Sequence, residues 1–255
     1  MRFEKWHALG NAYVLVEQPD AGNLTPDRVR RLCDPSTGIG SDGVVEILTH
    51  GAGRVETAIW NPDGSSAEMS GNGTRIAAAW LLRDGGLSEV EVETTGRRIR
   101  SATAAGGLVR QEIGEAVVGE DEALDLAGER IPFIPVDVGN PHAVVRRDAL
   151  SRDELLRIGP ALEVHPRFPG RTNVQLASPD SRGVIRVLVW ERGAGETSAS
   201  GSSAVAVGVA AVTRGWCDSP VRVSMPGGEL LVVVSGSAVV LTGPAEEICV
   251  GTTEL

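Results

Sequence analysis

Two short stretches of this chain hold residues whose types and spacing could do chemistry. Residues 70–73 read Ser-Gly-Asn-Gly and residues 200–203 read Ser-Gly-Ser-Ser, and the apolar runs IAAAWLL and AVAVGVAAV follow them. Serine is a preferred helix N-cap, because its oxygen accepts an amide hydrogen that the first turn leaves unpaired. Taken singly, each stretch reads as an ordinary capped helix. Taken as a pair they imply more. Two helix N-termini serving one ligand present unpaired N–H groups and the positive ends of two dipoles, which suits a carboxylate. The glycines let such a ligand come close to the backbone.

Other polar residues stand at strand ends or in loops: Asn11, Asn61, Asn140, Asn173, Glu191 and Arg192. One such asparagine is usually a turn former. Four of them, with a Glu-Arg pair after the apolar strand VIRVLVW, read as a cradle for a polar ligand. A zwitterion fits, with its carboxylate on the helix ends, its ammonium on Glu191 and a distal carboxylate on Arg192. His142 is a further candidate, although a lone histidine is more often structural. GIGSDG (38–43) matches GxGxxG, but a helix-like run precedes it and the strand-like VVEIL follows. A dinucleotide fingerprint needs the reverse order, so this is a turn.

The elements that must position these residues are mostly strands. YVLVE, VETAIW, VEVET, HAVVR, NVQLAS, VRVSM and ELLVVV are short, rich in Val and Ile, and bounded by Gly, Pro, Asp and Asn. Helices are predicted over 25–33, capped by Thr25 with Pro26 in the first turn, and over 151–163, capped by Ser151. The runs after Ser70 and Ser200 make two more. They are apolar on every side, so they must be buried, each inside a wrapped sheet.

The chain also repeats itself. GNAYVLVE pairs with GNPHAVVR, NPDGSS with ERGAGE, and Ser70-Gly71 with Ser200-Gly201, each at a separation of 129 or 130 residues. Two similar halves follow, each a sheet around a central helix. The acidic, Gly-bearing stretch 114–129 reads as a linker and the boundary, which gives residues 1–115, completed by a C-terminal segment about 242–255, and residues 116–241.

Composition removes several function classes. The chain has 255 residues, 42% of them hydrophobic, and a net charge of −10. That balance suits a globular protein and argues against a nucleic-acid partner, which needs clustered Lys and Arg. No run reaches the ~18 apolar residues of a membrane span, and no secretory leader is recognisable, so a cytoplasmic location is expected. Cys33, Cys217 and Cys249 have no metal-binding spacing and read as reduced structural thiols. The four histidines are isolated, so no metal is expected. Lys5 is the only lysine and lies far from any phosphate cradle, which leaves no suitable Schiff-base lysine for pyridoxal phosphate. No cofactor is expected.

In order, KWHALGNAYVLVE, NPDGSSAEMSGNGTRIAAAWL, DVGNPHAVV, RTNVQLA, WERGAGETSASGSSA and SMPGGELLV resemble the signature blocks of the diaminopimelate epimerase family, over roughly residues 1–235. The resemblance implies an α/β (α+β) fold of two pseudo-symmetric domains, each a barrel-like, mostly antiparallel sheet around a central helix. It implies an isomerase that interconverts LL- and meso-diaminopimelate for lysine and peptidoglycan synthesis without cofactor or metal, and a homodimer. Asn11, Asn61, Asn140, Asn173, Glu191 and Arg192 match substrate-binding positions. Gly71-Asn72 and Gly201-Ser202 match the amide pairs that hold the reacting carboxylate. Ser70 and Ser200 match the two catalytic bases, one for each face of the α-carbon.

In the family pattern both bases are cysteine; here both are serine. Ala12 also replaces an Asp, and Tyr13 a Phe, changes that read as minor. A thiolate costs about 2 kcal/mol to form at pH 7, whereas an alkoxide, whose parent alcohol is an acid about as weak as water, costs about 12 kcal/mol. A helix N-terminus offsets at most ~2 kcal/mol of this. Four readings follow: an epimerase that is slower or uses an auxiliary carboxylate, with Glu68, Glu196 and Asp63 nearest in sequence; a related dehydratase or isomerase of another amino acid, such as hydroxyproline; a binding protein that has lost the chemistry; or serines introduced to trap substrate. The intact Asn140, Asn173 and Arg192, which would hold the distal carboxylate, favour diaminopimelate.

Overall fold

A computed structural model describes residues 1–255 apart from Glu68, Met69, Asp84 and Ala127. The chain forms two compact units, Met1–Glu112 with Thr242–Leu255, and Ile113–Leu241.

The first unit begins with strands β1 (Arg2–Ala8) and β2 (Asn11–Glu17), then helices α1 (Gln18–Ala21) and α2 (Pro26–Cys33). It continues through β3 (Val44–Gly51), β4 (Arg54–Trp60), α3 (Gly71–Leu82), β5 (Glu89–Thr94), β6 (Arg97–Thr103) and β7 (Val109–Glu115). β1 and β2 are antiparallel, β2 and β3 parallel, β3 and β4 antiparallel, β4 and β5 parallel, and β5 and β6 antiparallel. A parallel step needs a crossover, and here α2 and α3 supply the two. Helix α3 packs against β1, β3, β4, β5 and β6, with Ile76, Ala77, Ala78 and Trp80 among the buried residues of that core.

The second unit contains β8 (Val117–Val118), β9 (Glu122–Leu126), β10 (Glu129–Asp137), β11 (Pro141–Arg146) and α4 (Arg152–Glu163). After them come β12 (Asn173–Ser181), β13 (Val184–Glu191), β14 (Gly195–Thr197), α5 (Gly201–Thr213), β15 (Val221–Met225), β16 (Gly228–Ser235) and β17 (Ala238–Gly243). The pairings run in the same succession: β10 and β11 antiparallel, β11 and β12 parallel, β12 and β13 antiparallel, β13 and β15 parallel, β15 and β16 antiparallel. The final strand β18 (Glu246–Thr252) returns to the first unit, antiparallel to β1. The repeat read from the sequence is thus a repeat of topology, in a sheet-dominated α+β fold with a central helix in each unit.

Local signals explain the helix starts. The side chains of Thr25, Ser70, Ser151 and Ser200 accept from the backbone N–H groups of Arg28, Gly73, Glu154 and Ser203. Helix α5 forms despite its valines because burial decides: Gly201 through Ala211 are all buried. Its fit on β16 requires Gly208, where a Cβ would lie 2.9 Å from the Val232 Cβ.

Two expectations change. Residues 114–129 are not an open linker, since β8 and β9 both pair with β10. Cys33 and Cys217 are buried free thiols, but Cys249 is exposed on β18. Among the described residues, no helix is long and apolar enough to cross a membrane, and no group of three or more His, Cys, Asp or Glu could hold a metal ion.

Candidate active site

In the first unit the site is built on the N-terminus of α3 and the start of β2. Ser70 Oγ accepts from Gly73 N at 3.0 Å and lies 3.0 Å from the phenol oxygen of Tyr13. Asn72, the second residue of α3, donates from Nδ2 to Asn11 Oδ1 at 3.0 Å. The strand corner that carries Asn11 and Tyr13 is held by the GIGSDG turn: Asp42 Oδ2 accepts from Ala12 N, and Asp42 N donates to Ala12 O, both at 2.7 Å. Asn61 is exposed at the end of β4, where its Nδ2 donates to Ser65 Oγ at 2.9 Å. So Asn11, Ser70, Gly71 and Asn72 form one cluster, and Asn61 sits apart from their hydrogen bonds.

Beneath this cluster lies Arg75, fully buried on α3. It donates to Pro244 O, Gly71 O and Asn72 Oδ1 at 2.9, 3.3 and 3.0 Å. Burial pushes the guanidinium down to about 10, and Tyr13 pulls it back up. It therefore stays charged near neutrality.

In the second unit the site is built on the N-terminus of α5 and the ends of β11, β12 and β13. Ser200, 2% exposed, donates from Oγ to Glu191 Oε2 at 2.9 Å. Ser202 Oγ lies 3.5 Å from Ser200 Oγ. Asn173 accepts from Arg192 N at 3.0 Å and donates to Pro141 O at 3.0 Å, so it ties the loop after β13 to the start of β11. His142 is buried, with neutral hydrogen-bond partners and the charge of Arg192 near it. Gln175 Nε2 donates to its Nδ1 at 2.9 Å, so its Nε2 carries the proton and donates to Asn140 Oδ1 at 2.9 Å. Burial pushes this imidazole down to about 3, so at neutral pH it orients Asn140 as an uncharged ring. Gln175 also reaches Ser203 Oγ at 3.0 Å. Asn140, Asn173, Glu191, Arg192, Ser200, Gly201 and Ser202 thus gather at one end of this unit.

Two of the three carboxylates nearest in sequence are engaged by other groups. Glu196 is engaged by Arg152 through three short hydrogen bonds, and Asp63 accepts from the Ser65 hydroxyl and N–H, which hold its carboxyl below the ordinary range. Glu68 lies outside the described residues. Among the described residues, Glu191 is the carboxylate that meets one of the two helix-cap serines of the site, Ser200, through a contact that the sequence did not announce. Two more residues were missed. Tyr13 sets a hydroxyl on Ser70, and its replacement of the pattern's Phe was the available signal. Glu163 accepts from Trp190 Nε1 at 2.7 Å and Gly193 N at 2.9 Å, so it fixes both sides of Glu191-Arg192. No local pattern in the sequence marks it.

A family model described as diaminopimelate epimerase matches residues 3–118 and 134–248, which include both clusters. The chain belongs to the diaminopimelate epimerase family. It is 37% identical to the diaminopimelate epimerase of Carboxydothermus hydrogenoformans, over 98% of this chain and 98% of that one. It is 40% identical to the diaminopimelate epimerase of Desulforudis audaxviator, over 97% of both chains. Among solved structures it resembles a protein from Pseudomonas aeruginosa described as a predicted epimerase, with a TM-score of 0.75 at 18% identity, covering 100% of this chain and 99% of that one. At that identity the likeness shows a shared fold.

Proposed function

We propose that the protein is a cofactor-independent amino-acid epimerase that interconverts LL- and meso-diaminopimelate, with serine at both positions where the family pattern has cysteine. The observation that carries this reading is that each unit ends a helix in a serine N-cap whose oxygen also meets an acid–base partner, in a chain that belongs to this family. In this reading the amides of Gly71-Asn72 and Gly201-Ser202 hold the reacting carboxylate, Glu191 takes the ammonium, Asn140, Asn173 and Arg192 recognise the distal carboxylate, and Asn11 and Asn61 are further substrate-binding positions. Ser200 takes the α-hydrogen as its own proton passes to Glu191. The second serine returns a proton to the opposite face. Passing the proton on to a carboxylate avoids a free alkoxide, whose formation alone costs about 12 kcal/mol at pH 7. The place in lysine and peptidoglycan synthesis and a homodimeric state are implied by the same resemblance, and a cytoplasmic location is proposed with them; light scattering tests the dimer.

The deciding experiment is α-hydrogen exchange. Purified protein is incubated with LL-diaminopimelate in D2O, and the α-proton signal and isomer ratio are followed by NMR beside a Ser70→Cys/Ser200→Cys variant. Washout with formation of the meso isomer is expected. Silence from both proteins would rule out diaminopimelate. One observation favours a second reading: a single hydroxyl–carboxylate pair, Ser200–Glu191, suffices for one-base elimination or isomerisation. Loss of water from a β-hydroxy amino acid, without epimerisation, would select it. Tight binding of diaminopimelate without exchange would mark a binding protein.

A further inference from the structure

The two serines have partners of opposite character. Ser200 spends its O–H on Glu191, an acceptor that takes a proton. Ser70 instead shares a hydrogen bond with Tyr13, whose phenol can give one. When Tyr13 donates, Ser70 Oγ accepts both from it and from Gly73 N, and the serine's own O–H is turned toward a third group. That is the arrangement of an acid, whereas Ser200 with Glu191 has the arrangement of a base.

Tyr13 is held for this contact. It is 8% exposed, and its ring lies over Gly43, where a Cβ would come within 2.7 Å of the ring Cε1. Arg75 adds an independent observation. Its guanidinium is fully buried, yet its hydrogen bonds go to two backbone carbonyls and an amide oxygen, and no carboxylate among the described residues pairs with it. A buried cation without an anion is costly. Arg75 donates to the carbonyl of Gly71, the residue after Ser70, and so lies on the side of the cap that faces the Ser70–Tyr13 contact; Tyr13 pulls its titration up. Among the described residues, the other titratable groups at this corner are Asp42, which accepts from Ala12 N, and His7, in register with Ala12 on β1.

We propose that Tyr13 is the proton-relay partner of Ser70, and that Arg75 holds the negative charge that the relay leaves on the phenol oxygen. The proposal rests on the epimerase reading. As the α-carbanion takes the proton of Ser70 Oγ, the Tyr13 O–H bond breaks and its proton passes to that same Oγ. The product is the protonated α-carbon, a neutral serine and a tyrosinate, which water then reprotonates. In the reverse direction the tyrosinate takes the Ser70 proton while Ser70 takes the α-hydrogen. The charge rests on a phenol that ordinarily titrates near ~10 rather than on an alcohol, a far weaker acid. Burial of the ring opposes the tyrosinate and Arg75 favours it.

Tyr13 is the only tyrosine in the chain, so its ionisation is visible by itself in the near-ultraviolet absorbance. The test compares the full-length protein with Tyr13→Phe and Arg75→Gln. Tyr13→Phe is expected to slow α-hydrogen exchange about a hundredfold or more and to remove the alkaline inflection from its pH profile. Arg75→Gln, checked for folding by circular dichroism, is expected to raise the tyrosine's absorbance midpoint by about one pH unit or more. Equal rates and profiles for Tyr13→Phe and the unaltered protein would overturn the relay while the epimerase reading stands, and would do so whether or not Arg75→Gln folds. An unmoved midpoint in a folded Arg75→Gln would overturn the role given to Arg75. Silence of the unaltered protein toward diaminopimelate would remove the epimerase reading and the relay together.

Discussion

The Ser200 hydroxyl donates to Glu191 Oε2 at 2.9 Å, so the residue that ends β13 and the residue that caps α5 form one pair. The contact converts a weakly acidic alcohol into one whose proton has a destination. Glu191→Gln keeps the shape and removes that destination. Exchange of the α-hydrogen of diaminopimelate is expected to fall by about 10²–10⁴-fold. A variant within a few-fold of the unaltered protein would show that Glu191 serves binding alone.

Ser70 caps α3 as well as meeting Tyr13, so its removal carries two separable costs. Ser70→Ala is expected to lower stability by about 1 kcal/mol through the lost cap and to abolish most exchange. Ser151→Ala removes the equivalent cap from α4, where Oγ accepts from Glu154 N at 3.2 Å. It is expected to cost a similar stability in urea unfolding while exchange stays intact. Equal loss of exchange in both variants would mean that Ser70 acts only as a cap.

His142 makes stability depend on pH in a defined window. Its folded value is pushed down to about 3 from an ordinary 6.5 by burial. Below 6.5 the unfolded chain binds a proton that the folded chain refuses, so stability falls as pH drops from about 6.5 toward 3. The slope is up to ~1.4 kcal/mol per pH unit from this one residue. His142→Gln, which retains a donor and an acceptor, should flatten that part of the profile in denaturant titrations at several pH values. An unchanged slope would show that other groups set it.

Gly208 allows α5 to lie against β16. Gly208→Ala places a Cβ 2.9 Å from the Val232 Cβ and is expected to destabilise by about 1–3 kcal/mol. The double variant with Val232→Ala tests the cause, because the smaller partner should recover part of the loss. If the pair is no better than the single variant, the strain lies elsewhere.

Much was legible in the chain itself, for local physical reasons. Thr25, Ser70, Ser151 and Ser200 start helices because a cap bonds an amide only a few residues away. The 129- or 130-residue repeat shows in the sequence because each half must bury the same kind of helix in the same kind of sheet. The asparagines and the Glu-Arg pair stand out because polar residues at strand ends have little packing reason to be there. Only the tertiary structure decided what each hydroxyl meets. Tyr13 and Ser70 are 57 residues apart, and Glu163 and Trp190 are 27 apart. Such contacts depend on strand register and on the direction of single side chains, and no residue type or spacing carries that information. The same holds for 114–129, whose acidic composition reads as a linker until β10 offers its two segments a strand to pair with. Local chemistry thus named the residues that could act, and long-range packing assigned each one its partner.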